Sequence, residues 1–534
     1  MFALKRLVGG IAIAIMAFSA GSAQAAWREA SSDHFVIYAD QSEAAITRFA
    51  DRLERYHSAL EFFTTTPLPK PSPSNRVTVY VLSDEREVQA IYGTKSSIVR
   101  GFYRPRAGGS IAVAADNENL RRGGDISPSL WYLLHEYAHH FTLSTTAFPW
   151  PRWMSEGAAE FFSAALFERD GGVWVGRPSG RRKNELFFAE SVPIEELLDS
   201  SLYDQGRGKN RAYDEFYGKS WLLYHYLMFG EARSGQLSTY TSRIAAGKPA
   251  LEAAREAFGD LDELNRDLSS YKKRLKMRAA YLAPERLSPG PIAVRELRPG
   301  EAAMMPVQIR SEAGVDEKTA LEVLADARSV AQSYPDDPAV LAALAEAEYD
   351  AGYDAAAITA ADKAIALDPS RVNAYVQKGY ALFRQAAEAD DRDAAYRAAR
   401  QPFLDLNRIE NDHPLPLIYY YRSFLGAGKA PPQVAKDGLA RASQLAPFDR
   451  GLHFELAQLY LRDGELKLAS YQLRPVAFAP HGGRLSRTAR AMLAAIEDGR
   501  LKGGSFNMAQ FASTSDTEEG DDNGEDGVDE ERKD

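Results

Sequence analysis

The C-terminal half of the chain repeats itself every 33 or 34 residues. Leu341 and Tyr375 stand 34 positions apart, as do Ala345 and Gly379. Pro414, Pro447 and Pro480 are spaced by 33. Gly352, Ala357 and Ala364 put small residues where two short helices must approach, and Pro369 closes the unit. A later copy reads Leu452, Ala457, Tyr460, Gly464, Ala469, Ala477, Pro480. One pair of short helices cannot bury its own apolar face, so the repetition forces stacking into an array. About three to four units fit between roughly 318 and 498, with one break of register near 386–395.

The N-terminal half has a different rhythm. Residues 34–39, 76–82 and 109–115 read as strands. Residues 42–63 read as an amphipathic helix, with Ile46, Phe49, Leu53, Tyr56 and Leu60 at helical spacing. Then comes His135-Glu136-Tyr137-Ala138-His139, an HExxH sequence. Ser127 and Pro128 supply an N-cap and a proline at the first helical position. Positions i and i+4 share a helix face, so His135 and His139 can offer two imidazoles to one metal ion. Glu136 is placed to act as general base on a metal-activated water. Zinc needs a third protein ligand. The longer HExxHxxGxxH pattern is ruled out, because Thr142 and Thr145 hold its Gly and His positions. Glu156, on a helix starting near Pro151, is the candidate ligand. Glu160, one turn on, is the candidate partner for the distal nitrogen of a ligand histidine. His225 reads as a packed core histidine. The basic stretch 176–209, with Arg181, Arg182 and Lys183, reads as a solvated surface loop, with a loop over the cleft as the alternative. Residues 213–229 resume a helix.

HEYAH followed by Trp153-Met154-Ser155-Glu156-Gly157-Ala158-Ala159-Glu160 resembles the gluzincin metallopeptidases, over roughly residues 27–285. The resemblance implies an α+β zincin-like catalytic domain, a mixed sheet with active-site helices. It implies zinc (Zn2+) held by His135, His139 and Glu156, with Glu136 as base. It also implies a tyrosine that stabilises the oxyanion: Tyr217, with Tyr213 as the alternative. In that clan an edge strand before the HExxH helix pairs with the substrate backbone, and 109–115 holds that place in the order. The aminopeptidase Gly-x-Met-Glu-Asn motif is missing, so exopeptidase action is not implied. The C-terminal repeats resemble the tetratricopeptide (TPR) family, which implies an all-α solenoid that binds a protein or peptide.

These readings divide the chain into a signal peptide (1–25), a metallopeptidase domain (26–285), a Pro- and Gly-rich linker (286–316), a TPR-like domain (317–500) and a disordered acidic tail (501–534). Lys5 and Arg6, an apolar run and Ala23-Gln24-Ala25 form the signal and its cleavage site, predicting an exported chain, periplasmic in a Gram-negative source. No later stretch is long and apolar enough to span a bilayer. The absence of cysteine excludes disulfides and thiolate ligands. The tail from Asp516 carries eleven acidic and two basic residues, nearly all of the chain's net −10. No basic patch predicts nucleic-acid binding. Two functions follow as expectations: an exported zinc peptidase acting on a peptide or protein substrate, or a non-catalytic or latent scaffold that recruits protein partners through its repeats.

Overall fold

The computed structural model describes residues 27–501, apart from 95–98, 117–125, 147, 149, 179, 208–212, 275 and 480–481. The expected signal peptide, with its cut after Ala25, and the acidic tail lie outside the described residues. The N-terminal half opens with β1 (Trp27–Ser31), β2 (Phe35–Asp40), α1 (Glu43–Thr64), β3 (Val77–Leu82), α2 (Glu85–Tyr92), β4 (Gly101–Arg104) and β5 (Ile111–Ala115). Then follow α3 (Pro128–Thr145), α4 (Arg152–Ser163), a short hairpin of β6 (Leu166–Phe167) and β7 (Val173–Val175), α5 (Gly180–Phe188), α6 (Ile194–Leu198), α7 (Ser200–Arg207) and α8 (Phe216–Phe229). Three more helices, α9 (Gln236–Ala245), α10 (Ala250–Phe258) and α11 (Leu261–Tyr271), lead to β8 (Ala280–Leu282) and β9 (Ala293–Glu296).

Six of the strands form a mixed sheet in the order β4-β5-β3-β2-β1-β9. The β2, β3 and β5 strands run parallel, while β4, β1 and β9 pair antiparallel to their neighbours. Parallel strands need both faces covered. On one face, Ile46, Phe49, Leu53 and Leu60 of α1 pack with Leu133, Leu134 and Tyr137 of α3 over Ile37 and Val79. The strand at 109–115, expected at the edge, is interior: β4 pairs with its outer side, so the edge belongs to β4. The sequence hides this strand because Gly101-Phe-Tyr-Arg104 is too short to alternate visibly.

Residues 286–316, expected as a linker, hold β9 and a helix, α12 (Pro299–Ala313). Met305, Ile309 and Ala313 of α12 cover the second sheet face over Tyr80, Ile111 and Val113. The opposite side of α12, at Met304 and Val307, packs on Val323, Leu324 and Val340. Pro299 stands at the start of α12, where its missing N–H is harmless. This proline starts structure, where the sequence reading took it for a linker.

The C-terminal half continues as antiparallel helices: α13 (Glu317–Ser333), α14 (Pro338–Asp350), α15 (Asp354–Leu367), α16 (Val372–Glu388), α17 (Arg392–Ala399), α18 (Gln401–Ile409), α19 (Pro414–Gly426), α20 (Gln433–Leu445), α21 (Arg450–Arg462), α22 (Leu466–Ala477) and α23 (Arg484–Glu497). The break of register is a longer α16 followed by the extra short helix α17. Ala345, Ala361, Ala364 and Ala374 let α14, α15 and α16 approach closely. The result is a TPR-like helical solenoid that begins at α12, earlier than 317. Among the described residues no helix is long and apolar enough to cross a membrane.

The turn between β4 and β5 and the segment just before β3 join the two halves. Ala107 N–H donates to Asp449 Oδ2 (2.8 Å), and Glu410 accepts from both Ser74 N (3.0 Å) and Ser74 Oγ (2.8 Å). Gly108 has φ +83°, and a Cβ there would stand 2.8 Å from Leu415 Cγ. Only glycine lets this turn lie against α19.

Candidate metal centre

The α3 helix begins as the sequence predicts. Ser127 Oγ accepts from Leu130 N–H (3.1 Å), and Pro128 occupies the first turn. His135, Glu136 and His139 are all about 5% exposed or less. Glu156 and Glu160, on α4, are fully buried. The α4 helix lies tight on α8 because of Gly157, whose added Cβ would stand 2.5 Å from Ser220 O.

Three atoms converge. His139 Nε2 is 3.1 Å from His135 Nε2, and Glu156 Oε2 is 3.4 Å and 3.5 Å from them. Ligand atoms about 2.0–2.1 Å from a tetrahedral zinc stand about 3.3 Å apart, so the triangle fits that ion. All three are Lewis bases in a dry pocket, an arrangement that is unfavourable without a positive charge among them. Among the described residues this is the only set of three or more His, Asp or Glu that converges in this way. Burial works to lower the His139 pKa, but the Glu156 carboxylate, helped by Glu136 and Glu160, outweighs it and holds the imidazole above its ordinary value.

One distal nitrogen is hydrogen-bonded, and the other only lies beside a carboxylate. Glu160 Oε1 is 3.4 Å from His135 Nδ1, and Ser155 Oγ is 3.2 Å from His139 Nδ1. These contacts orient the two rings. Glu160 Oε1 also accepts from Arg182 Nη2 (2.6 Å), and Arg182 pairs with Glu185. Glu185 Oε2 in turn accepts from Gly218 N–H (2.9 Å), next to Tyr217. The Arg182 guanidinium lies 4.9 Å from the Tyr217 ring centre and 5.7 Å from that of Trp131.

The stretch 176–209 is therefore corrected. It holds α5, α6 and α7, and Arg182 is 3% exposed at the metal centre. The Arg-Arg-Lys cluster gave no sign of this, because its charge matched a solvated loop. Only the buried Glu160 and Glu185 carboxylates call the middle arginine inward. Arg152, whose guanidinium is held charged by Tyr217 and Glu156 against the effect of burial, was also missed.

Tyr217 is half-buried and shares Arg182 with Glu160, whereas Tyr213 is 45% exposed. His225 is a core histidine as expected. Its Nδ1 meets Tyr271 Oη (2.9 Å), its Nε2 meets Arg278 O (2.9 Å), and burial pushes its pKa down to about 4.

No protein-family model matches the chain, and no curated protein does. Solved structures do match. A thermophilic TPR protein of Thermus thermophilus is 20% identical, covering 39% of this chain and 93% of its own, with a TM-score of 0.27. Pseudomonas aeruginosa PilF is 18% identical, over 41% of this chain and 90% of its own, with a TM-score of 0.31. A tetratricopeptide repeat protein from Parabacteroides merdae is 13% identical, over 53% of this chain and 97% of its own, with a TM-score of 0.29. The TPR-like helical fold rests on this chain's own helix pairs and their 33- and 34-residue spacing.

Proposed function

We propose that the chain is an exported, zinc-dependent peptide hydrolase whose helical array serves protein binding. The observation that carries the reading is the buried triangle of His135 Nε2, His139 Nε2 and Glu156 Oε2, with sides of 3.1–3.5 Å. These residues would hold the ion, and zinc, when bound, supplies an electrophile that lowers the pKa of water toward about 7. Glu136, one residue from a ligand, accepts a proton at its carboxylate and returns it to the leaving amine. Tyr217 donates from its hydroxyl to the developing oxyanion, a contribution typically worth about 2.7–4 kcal/mol. Glu160 and Ser155 hold the two imidazoles in orientation. Exchange of Glu136 for Gln is expected to keep one zinc per chain while abolishing hydrolysis of unfolded protein. Full turnover in that variant would remove Glu136 from the mechanism.

A second reading has at least equal support from the fold. In it the metal stabilises the N-terminal domain, and the solenoid recruits protein partners without catalysis. The specific observation in its favour is closure. No residue of the triad is more than 5% exposed, and the buried Arg182 of α5 pairs with Glu160 beside it. The two readings part on one measurement. Zinc-loaded protein with no hydrolysis of any unfolded substrate, and an unfolding midpoint that falls on zinc removal, supports the scaffold.

A further inference from the structure

Between the sheet and helices α12, α14, α16 and α19 of the solenoid lies an open cavity of about 690 Å³, whose lining includes none of His135, His139 and Glu156. Its size lies within the roughly 300–1,000 Å³ typical of ligand sites. Glu346 and Asp350, one turn apart on α14, line it together with Glu312, Gln377, His413 and Arg106. Glu346 and Asp350 have no cation within 4.0 Å among the described residues. The cations that act on them are engaged elsewhere: Arg106 lies 3.9 Å from Glu312, and Arg384 holds Asp354. Besides Ser311 Oγ, two further atoms in the lining stand without a hydrogen-bond partner, Gln377 Oε1 and His413 Nε2. Their residues are only 5% and 1% exposed.

The chemistry of these atoms is defined. Gln377 Nε2 donates to Asn373 Oδ1 (3.0 Å), which leaves Oε1 as an acceptor. His413 Nδ1 accepts from Leu415 N–H (3.2 Å), so the neutral ring carries its proton on Nε2 and offers a donor. The cavity thus presents one acceptor, one donor, the Ser311 hydroxyl and two carboxyl groups that lack a cation, of which Glu346 accepts a neutral hydrogen bond from Asn373 Nδ2 (2.8 Å) and Asp350 Oδ2 has no hydrogen-bond partner. Buried groups of this kind are costly until paired.

We propose that this cavity binds a peptide segment bearing a Lys or Arg side chain, with its cation at Glu346 and Asp350 and a backbone amide at Gln377 Oε1 and His413 Nε2. A metal ion fits less well, since the carboxylates here do not bring three oxygens within 4.8 Å. A polyamine offers donors only and leaves the His413 N–H unpaired. An acidic ligand meets two carboxyl groups. The proposal is independent of the metal centre.

Calorimetric titration of the full chain with acetyl-Ala-Lys-Ala-amide tests it. Saturation at one peptide per chain is expected, with binding about 10–100-fold weaker for the norleucine analogue and for a Glu346→Gln, Asp350→Asn double variant. Gln377→Leu alone weakens binding several-fold. Glu156→Ala leaves it unchanged, which separates this cavity from the metal centre. Circular dichroism checks that each variant is folded, and Gln377→Leu decides the matter should the double variant fail to fold. Absence of saturable binding, equal binding of the norleucine analogue, equal binding of spermidine, or indifference to these substitutions would overturn the proposal.

Discussion

At the scale of single residues, the triangle of His135, His139 and Glu156 depends on side chains outside it. Arg182 pairs with both Glu160 and Glu185, and its removal takes the arginine charge away from two buried carboxylates. Breaking such a pair typically costs about 3–5 kcal/mol. Arg182→Met is therefore expected to lower the denaturation midpoint of the N-terminal half and to weaken zinc binding, because Glu160 loses the partner that holds it near His135. Urea unfolding followed by tryptophan fluorescence, alongside a zinc titration, reads both effects. A variant as stable as the parent would mean that Arg182 merely lies beside the centre.

At the scale of elements, the centre is set by how closely α4 approaches α8. Gly157 permits that approach, and Gly157→Ala places a methyl 2.5 Å from Ser220 O and 3.0 Å from Tyr224 Cβ. Overpacking of this kind typically costs about 1–3 kcal/mol. The expected outcome is a lower melting temperature together with weaker zinc binding, since Glu156 precedes the displaced residue. A second element-scale effect concerns α14. Burial, reinforced by the Glu312 and Asp350 carboxylates, pushes the Glu346 pKa up to about 8 from 4.5, while Asn373 and Arg106 pull it down. Between those two values the unfolded chain releases a proton that the folded chain keeps. Stability on this account is highest below about pH 4.5, falls as pH rises and levels off above about 8. Asp350, raised to about 6 chiefly by burial, adds a fall in the same direction. Glu346→Gln should flatten the decline, and melting temperatures from pH 5 to 9 check it.

At the scale of the whole molecule, the two halves share α12. One side of that helix closes the sheet and the other begins the solenoid. A cut at residue 288 removes β9 from the sheet edge and uncovers the face that holds Tyr80, Ile111 and Val113. The 27–288 fragment is thus expected to aggregate alone and to be rescued by co-expression with 289–501. Size-exclusion chromatography distinguishes this from a monodisperse, zinc-loaded fragment, which would mean that the sheet is self-sufficient. The solenoid also contacts α3 itself: the ring centre of Phe448 lies 4.4 Å from that of His140.

Local sequence alone determined the helix of His135 and His139, the spacing that puts both on one face, and the second helix that carries Glu156. These are short-range facts, set by a cap, a proline and the 3.6-residue period. The repeat period likewise determined that the C-terminal half must stack. Tertiary structure alone decided that Arg182 turns inward, that β4 takes the sheet edge, that α12 belongs to both halves and that a cavity lies between the sheet and the solenoid. Each of these depends on partners brought together from distant parts of the chain. Burial of Glu160 and Glu185 calls for a cation, and a sheet face left bare calls for a helix. Neither requirement is written in the residues that meet it.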